Sequence, residues 1–261
     1  MRLTEGDLAI FAAMGNDFFR FKQFEVQQKK AAMKVCTDGC LFGALLPEME
    51  PKGNLNERLV HVLDIGTGTG LLSLMYAQRV PDAEIEAIEL DAMAFEQARE
   101  NFMASPWRNR LKAIKGDFKE VRKIPGLQEG LYDLIFSNPP FFEGDLKSAD
   151  DQRNRALHST DLGFGELIKG VASLLKDDGV FAVLIPFARS AEFIKIAEAY
   201  GLYPYRHYKV ANTEQKPFFR SILLFCREAH ENQEEALYIR DAKQEYSLKF
   251  KNLLEPFYLY L

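Results

Sequence analysis

The chain has 261 residues, 47% of them hydrophobic, with 33 basic and 38 acidic side chains and a formal net charge of −5. That length suits one large α/β domain with small additions, and no apolar run is long enough for a membrane-spanning helix. The acidic balance argues against a surface basic all over, although a local patch is enough to hold phosphate. The opening Met1-Arg2-Leu3-Thr4-Glu5-Gly6 is polar and lacks a secretory apolar segment, so a soluble cytoplasmic protein is expected. Three cysteines, Cys36, Cys40 and Cys226, are too few and too odd in number for a disulfide framework. Two neighbouring thiols with no His at ligand spacing do not complete a zinc site, and no metal is expected.

Along the chain, Phe18 to Gln27 alternates apolar and polar residues, which predicts a hairpin-like β element. A short helix is expected from Asp38, as its cap, through Leu46. Pro47 to Asn56 is a polar linker. These residues form an N-terminal extension, 1–58, before a main domain at 59–261. From Leu59, apolar strand-like runs alternate with helix-period stretches. The strands are Val60–Ile65, Ile85–Leu90, Leu111–Ile114, Tyr132–Ser137 and Val180–Pro186. The helices are Leu71–Arg79, Ala92–Ala104, Gly165–Leu175 and Ala188–Tyr200. Such alternation predicts a parallel sheet with helices on both faces. Tyr205–Ala211 and Arg220–Cys226 have little between them and predict an antiparallel hairpin at a sheet edge. A short strand, Leu237–Arg240, and a helix, Tyr246–Leu254, follow. The terminal Phe257-Tyr258-Leu259-Tyr260-Leu261 is apolar enough to dock on the body.

The first strand of the main domain runs into Asp64-Ile65-Gly66-Thr67-Gly68-Thr69-Gly70 and then a helix. Three glycines permit a sharp turn and close approach of the backbone to a ligand. The G-x-G-x-G spacing differs from the dinucleotide-binding pattern. Asp64, ahead of the first glycine, would repel a pyrophosphate and suit an ammonium group. Glu89 closes the next strand, where an acid can accept from both ribose hydroxyls. Asp117-Phe118 follows the third, offering an acceptor for an adenine amine and a ring to pack on it. This succession resembles the Rossmann-like S-adenosylmethionine methyltransferases. The resemblance implies a mostly parallel seven-stranded sheet with one antiparallel strand. It also implies that Gly66, Gly68 and Gly70 wrap the methionine part, Asp64 supports it, Glu89 with Leu90 holds the ribose, and Asp117 with Phe118 meets the adenine.

The fourth strand ends Ser137-Asn138-Pro139-Pro140-Phe141. An exocyclic amine on a base is a poor nucleophile because its lone pair is delocalised into the ring. Two acceptors on its hydrogens draw the nitrogen toward a tetrahedral shape. The Asn138 amide oxygen and the Pro139 carbonyl can be those acceptors, on a loop stiffened by successive prolines. Phe141 offers a face for the base. No catalytic cysteine is needed, since transfer from a sulfonium is a direct displacement that demands positioning. The N-P-P-F sequence resembles amino-nitrogen methyltransferases of adenine, guanine and glutamine, and so defines the nitrogen class.

Three further stretches narrow the resemblance. They are Phe21-Lys22-Gln23-Phe24 with Ala32 to Ala44, then Ser105-Pro106-Trp107, and Tyr238-Ile239-Arg240-Asp241 with Tyr246-Ser247. Together they resemble the bacterial valine-tRNA adenine-37 N6-methyltransferases over nearly the whole chain. The likeness implies tRNA as substrate, and Lys34, Thr37 and Asp38 over the mouth of the cofactor pocket; the oligomeric state is left open by the sequence, with a monomer favoured. Ala156-Leu157-His158 departs from the Ala-Arg-His expected after the N-P-P loop. Three basic clusters are candidate RNA contacts or solvated faces: Arg20 to Lys34, Arg108 to Lys123, and Arg206, Lys209, Lys216 and Arg220. The alternatives are an rRNA guanine-N2 methyltransferase, a protein glutamine N5-methyltransferase, and a non-catalytic cofactor-binding module. The short, partly β N-terminal extension speaks against the glutamine enzymes, which carry a helical one.

Overall fold

The computed structural model describes residues 16–31, 33–49, 60–139 and 162–261. The extension opens with an antiparallel pair, β1 (Phe18–Arg20) and β2 (Glu25–Gln27), as the alternation predicts. Helix α1 spans Thr37–Leu45, starting two residues earlier than expected, and continues into a 3-10 turn at Leu46–Met49. Cys36 therefore occupies the N-cap, and Asp38 lies within the first turn. The rest of the predicted linker lies outside the described residues.

The main sheet is built from β3 (Val60–Ile65), β4 (Ala83–Glu89), β5 (Leu111–Lys115), β6 (Tyr132–Ser137) and β7 (Leu175–Pro186), then β8 (Tyr203–Ala211), β9 (Arg220–Cys226) and β10 (Gln233–Tyr238). Its order is β10-β8-β9-β7-β6-β3-β4-β5. Strand β9 alone runs antiparallel to its neighbours β7 and β8. The expected seven strands are present, and β10 adds an eighth, parallel to β8. The β8–β9 pair is consequently internal on the β9 side and covered by β10 on the other. The sequence Gln233-Glu234-Glu235 is exposed, so β10 gives no apolar alternation and forms a charged edge.

Helices α2 (Leu71–Arg79) and α3 (Ala92–Ala104) lie on one face with α1, the β1–β2 pair and α6 (Leu248–Leu254). Helices α4 (Phe164–Leu174) and α5 (Ser190–Ala199) pack the other. Two apolar clusters result, one on each face of the sheet. The chain passes from β3 to β4 and β5 on one side, then returns to place β6 on the other. That reversal opens a crevice at the carboxyl ends of β3 and β6, where open α/β sheets bind ligands.

The extension is tied to the body by polar contacts. Asn101 of α3 accepts from the Gln27 amide at 2.9 Å and donates to the Gln27 carbonyl at 2.8 Å. The same amide donates to the Thr69 carbonyl of the glycine loop at 2.8 Å. The Gln97 side chain accepts from the Lys30 amide. Aromatic packing continues the join: Phe21 stacks on Phe24 at 4.5 Å, and Trp107 meets Phe24 edge-on at 5.6 Å. The tail docks here as expected, with the Lys22 amide donating to the Phe257 carbonyl and Phe257 buried. Replacing Asn101 by Ala leaves three buried or half-buried backbone groups without their partner. It should lower stability by about 1–3 kcal/mol, read as a reduced midpoint in urea unfolding, and an unchanged midpoint would remove the tie.

Candidate functional site

Gly66, Gly68 and Gly70 all have positive φ, at 71°, 59° and 83°, which favours glycine at each. A β-carbon built on Gly66 or Gly68 meets nothing within 4 Å, so this backbone faces open space. On Gly70 it would lie 2.5 Å from the Phe102 ring, so that glycine serves helix packing. The loop is held from within. Asp64 is fully buried, and its Oδ2 accepts from Thr67 Oγ1 at 2.6 Å and from Ser73 Oγ at 2.7 Å. Its Oδ1 is buried without a hydrogen-bond partner. Burial pushes this carboxyl up to about 6, against the two hydroxyl bonds that lower it.

Strand register carries the other residues to the same end. Ile65 pairs with Ile88 on one side and Ser137 on the other, so Glu89 and Asn138 flank Gly66. Ser137 Oγ donates to the Ile65 carbonyl at 2.8 Å and locks β6 to β3 here. Glu89 accepts from the amides of Gly68 and Asp91 at 2.8 and 2.9 Å, which fixes its carboxylate and leaves lone pairs for further donors. Leu90 follows it and is 48% exposed, an apolar surface at the cleft edge. Asp117 Oδ1 caps the next 3-10 turn by accepting from the Lys119 amide at 2.9 Å, while no bond to Oδ2 is present among the described residues.

An elongated ligand with a cationic head and a nucleoside fits this set: an open glycine cradle, an orphaned carboxylate oxygen, and two oriented acids along successive strand ends. Phe118 departs from the expectation. Its ring is 5% exposed and lies where a β-carbon on Gly170 of α4 would be at 2.5 Å. Apolar burial against α4 turns the ring away from the cleft, so it does not supply a stacking face.

Asn138 is half-buried, with its amide nitrogen 3.8 Å from the Met33 sulfur, and Pro139 is buried. Pro140 and Phe141 lie outside the described residues, as does the Ala156-Leu157-His158 segment. The α1 N-terminus approaches from above: a β-carbon on Gly39 would be 3.9 Å from Asn138 Nδ2. Lys34 and Thr37 are exposed beside it. Asp38 was expected to cap the helix; instead its carboxylate accepts from Arg220 Nε at 2.9 Å, because the helix begins one residue before it. Burial pushes the Cys36 and Cys40 thiols up to about 12, with Asp38 adding to the effect, so both are protonated and unreactive. Among the described residues no group of His, Cys, Asp and Glu could hold a metal ion, and no helix is long and apolar enough to cross a membrane.

The basic clusters are largely committed to the protein. Arg110 donates to the Ala77, Val80 and Ala83 carbonyls, Lys112 pairs with Glu86, and Lys123 with Glu120. Lys22, Lys30 and Lys209 have acidic partners too. Asn101, Thr67 and Ser73 are site residues that sequence reasoning missed; only the Thr and Ser so near an Asp at a strand end hinted at them.

Residues 44–186 match the methyltransferase small domain family. The chain is 42% identical over 247 residues to a protein of Bacteroides fragilis named tRNA1(Val) (adenine(37)-N6)-methyltransferase, covering 94% of this chain and 99% of that one. A Klebsiella pneumoniae protein of the same name is 40% identical over 250 residues, covering 95% and 98%. In fold, the chain is similar to a predicted O-methyltransferase of Agrobacterium tumefaciens, with a TM-score of 0.65 at 15% identity over 84% of this chain and 96% of that one.

The Asp64 geometry carries a pH dependence. The carboxyl of the free protein holds its proton up to about pH 6, and a bound cation favours the ionised form. Binding therefore releases a proton below that pH, and affinity for S-adenosylmethionine should strengthen as pH rises through about 6. Titration calorimetry between pH 5 and 8 should show this in the wild type and not in Asp64→Asn; identical profiles would exclude Asp64 as the source.

Proposed function

This chain belongs to the methyltransferase small domain family and, within it, to the tRNA1(Val) (adenine(37)-N6)-methyltransferases, and from that membership we propose that it methylates N6 of adenine-37 in a valine tRNA. S-adenosylmethionine supplies the methyl, carried on an electrophilic sulfonium. The reading rests on one observation: the Ile65–Ser137 register, which sets Asn138 and Pro139 beside the glycine loop.

The protein's own groups do the following in this reading. Gly66 and Gly68 let the backbone run along the methionine part, and Gly70 keeps the loop seated on Phe102. Asp64 holds the loop and adds negative charge near the ammonium. Glu89 accepts from the ribose hydroxyls, Leu90 packs beside them, and Asp117 accepts from the adenine amine of the cofactor. Lys34 and Thr37 line the mouth. At the substrate, the Asn138 side-chain oxygen and the Pro139 carbonyl accept the two N6 hydrogens, which localises the nitrogen lone pair for attack. Pro140 stiffens the loop, and Phe141 stacks on the target base. The enzyme works in the cytoplasm with its RNA.

Nucleoside mass spectrometry of tRNA incubated with the protein and S-adenosylmethionine should give N6-methyladenosine; N2-methylguanosine from rRNA or methylglutamine from protein instead would overturn the assignment. Asn138→Ala should lower turnover by roughly 100-fold or more, as loss of a preorganised polar contact does, with cofactor affinity barely changed. Glu89→Ala should show the reverse, a weakened dissociation constant for cofactor. Equal effects on both quantities in both variants would dissolve the division of labour.

A further inference from the structure

A cavity of about 290 Å³ opens at the N-terminus of α1. Its walls include Thr37, Asp38, Asn212, Phe219, Arg240 and Tyr246. All its lining residues fall outside 44–186, the span of the shared methyltransferase domain. Yet it adjoins the reacting end: Gly39 follows Asp38 and approaches Asn138. We propose that this cavity receives the nucleobase adjoining the methylated adenine, so that it reads the RNA one nucleotide away from the chemistry. The inference rests on the tRNA reading above.

The walls have the chemistry for a base. Arg240 lies over the Tyr246 ring, 4.8 Å from its centre, and Phe250 stacks on Tyr246 at 4.7 Å and 18°. Phe219 is half-buried in the same lining, with the Arg220 guanidinium 5.6 Å from its ring centre. Aromatic rings and guanidinium planes are the surfaces on which unstacked RNA bases lie. The exposed Asn212 amide offers both a donor and an acceptor to a base edge. Lys216, on the loop that carries Asn212 and Phe219, is exposed and without an acidic partner among the described residues, which leaves its charge for phosphate.

The cavity is also prebuilt. Arg240 and Tyr246 form an isolated antiparallel bridge that closes a tight turn, with Gln244 at a φ of +63°. The Asp241 carboxylate accepts from the amides of Lys243 and Glu245, and Arg240 donates to the Gln244 carbonyl. Below it, the Asp38–Arg220 pair joins α1 to β9. This accounts for the Tyr238–Asp241 and Tyr246-Ser247 stretches of the sequence, which the methyl-transfer chemistry itself does not require.

The test uses the full chain and anticodon stem–loop RNA with an abasic nucleotide immediately 5′ or 3′ of adenine-37. With wild type, one of the two abasic RNAs should lose roughly 10-fold or more in kcat/KM, the effect of one lost stacking contact. Phe219→Ala should show a similar loss on intact RNA, and combining it with that abasic RNA should add nothing further. Cofactor affinity should be unchanged in the variant; if Phe219→Ala fails to bind cofactor, Arg240→Ala and Asn212→Ala carry the same comparison. Independent, multiplying losses, or no loss at either abasic position, would overturn the pocket alone. A wild type that leaves the intact RNA unmethylated would overturn the substrate assignment and the pocket with it.

Discussion

Asp64 sits at the end of β3 with one carboxylate oxygen accepting from Thr67 and Ser73 and the other buried without a partner. Burying a carboxylate is expensive unless its oxygens are satisfied. Here one oxygen is satisfied by the loop it organises, and those bonds hold Gly66 and Gly68 in conformations open to a ligand. The other positions depend on that loop. Glu89 is oriented by the Gly68 amide, Asn101 holds the Thr69 carbonyl, and β6 is locked alongside through Ser137 and Ile65. Moving the Asp64 carboxylate would displace the Gly68 amide that orients Glu89.

Much of this arrangement is legible in the sequence because burial imposes a simple signature. Strands β3 and β6 are buried on both faces and read as unbroken apolar runs, and both match their expected bounds. The crossover helices α2 and α3 do so as well. What escapes is direction and partnership. Phe118 follows a strand end as expected, yet residue type does not say which way a ring turns; apolar contact with α4 decides it. Asp38 is a good capping residue, but Arg220, 182 positions away, claims its carboxylate. Strand β10 is missed in its first half because an exposed edge carries Gln and Glu, held by Lys209 and Lys249. Asn101 looks like any polar helical residue until its three backbone partners converge.

The molecule divides by origin as well as by face. The shared methyltransferase domain provides the glycine loop, the two acids and the Asn138 loop. Segments before and after it provide α1, the β1–β2 pair, the Arg240–Tyr246 turn and α6. These outer pieces brace one another: α1 reaches β9 through Asp38 and Arg220, and the β1–β2 turn reaches the tail through Lys22 and Glu255. The proposed methyl-transfer residues and the proposed base pocket thus lie on different parts of one chain. The two parts are coupled through Asn101, which bonds Gln27 of the extension and the Thr69 carbonyl of the glycine loop.

The clasp between Lys22 and the tail joins residues 233 positions apart in sequence. Closing so long a loop is slow, since its entropy is lost before the contact returns anything. The β1–β2 pair, with three residues in each strand, is too small to be stable alone. Its stability therefore comes from what it packs on: Asn101 and Gln97 of α3 on one side and the docked tail on the other. Shortening the chain at its far end would accordingly loosen its beginning.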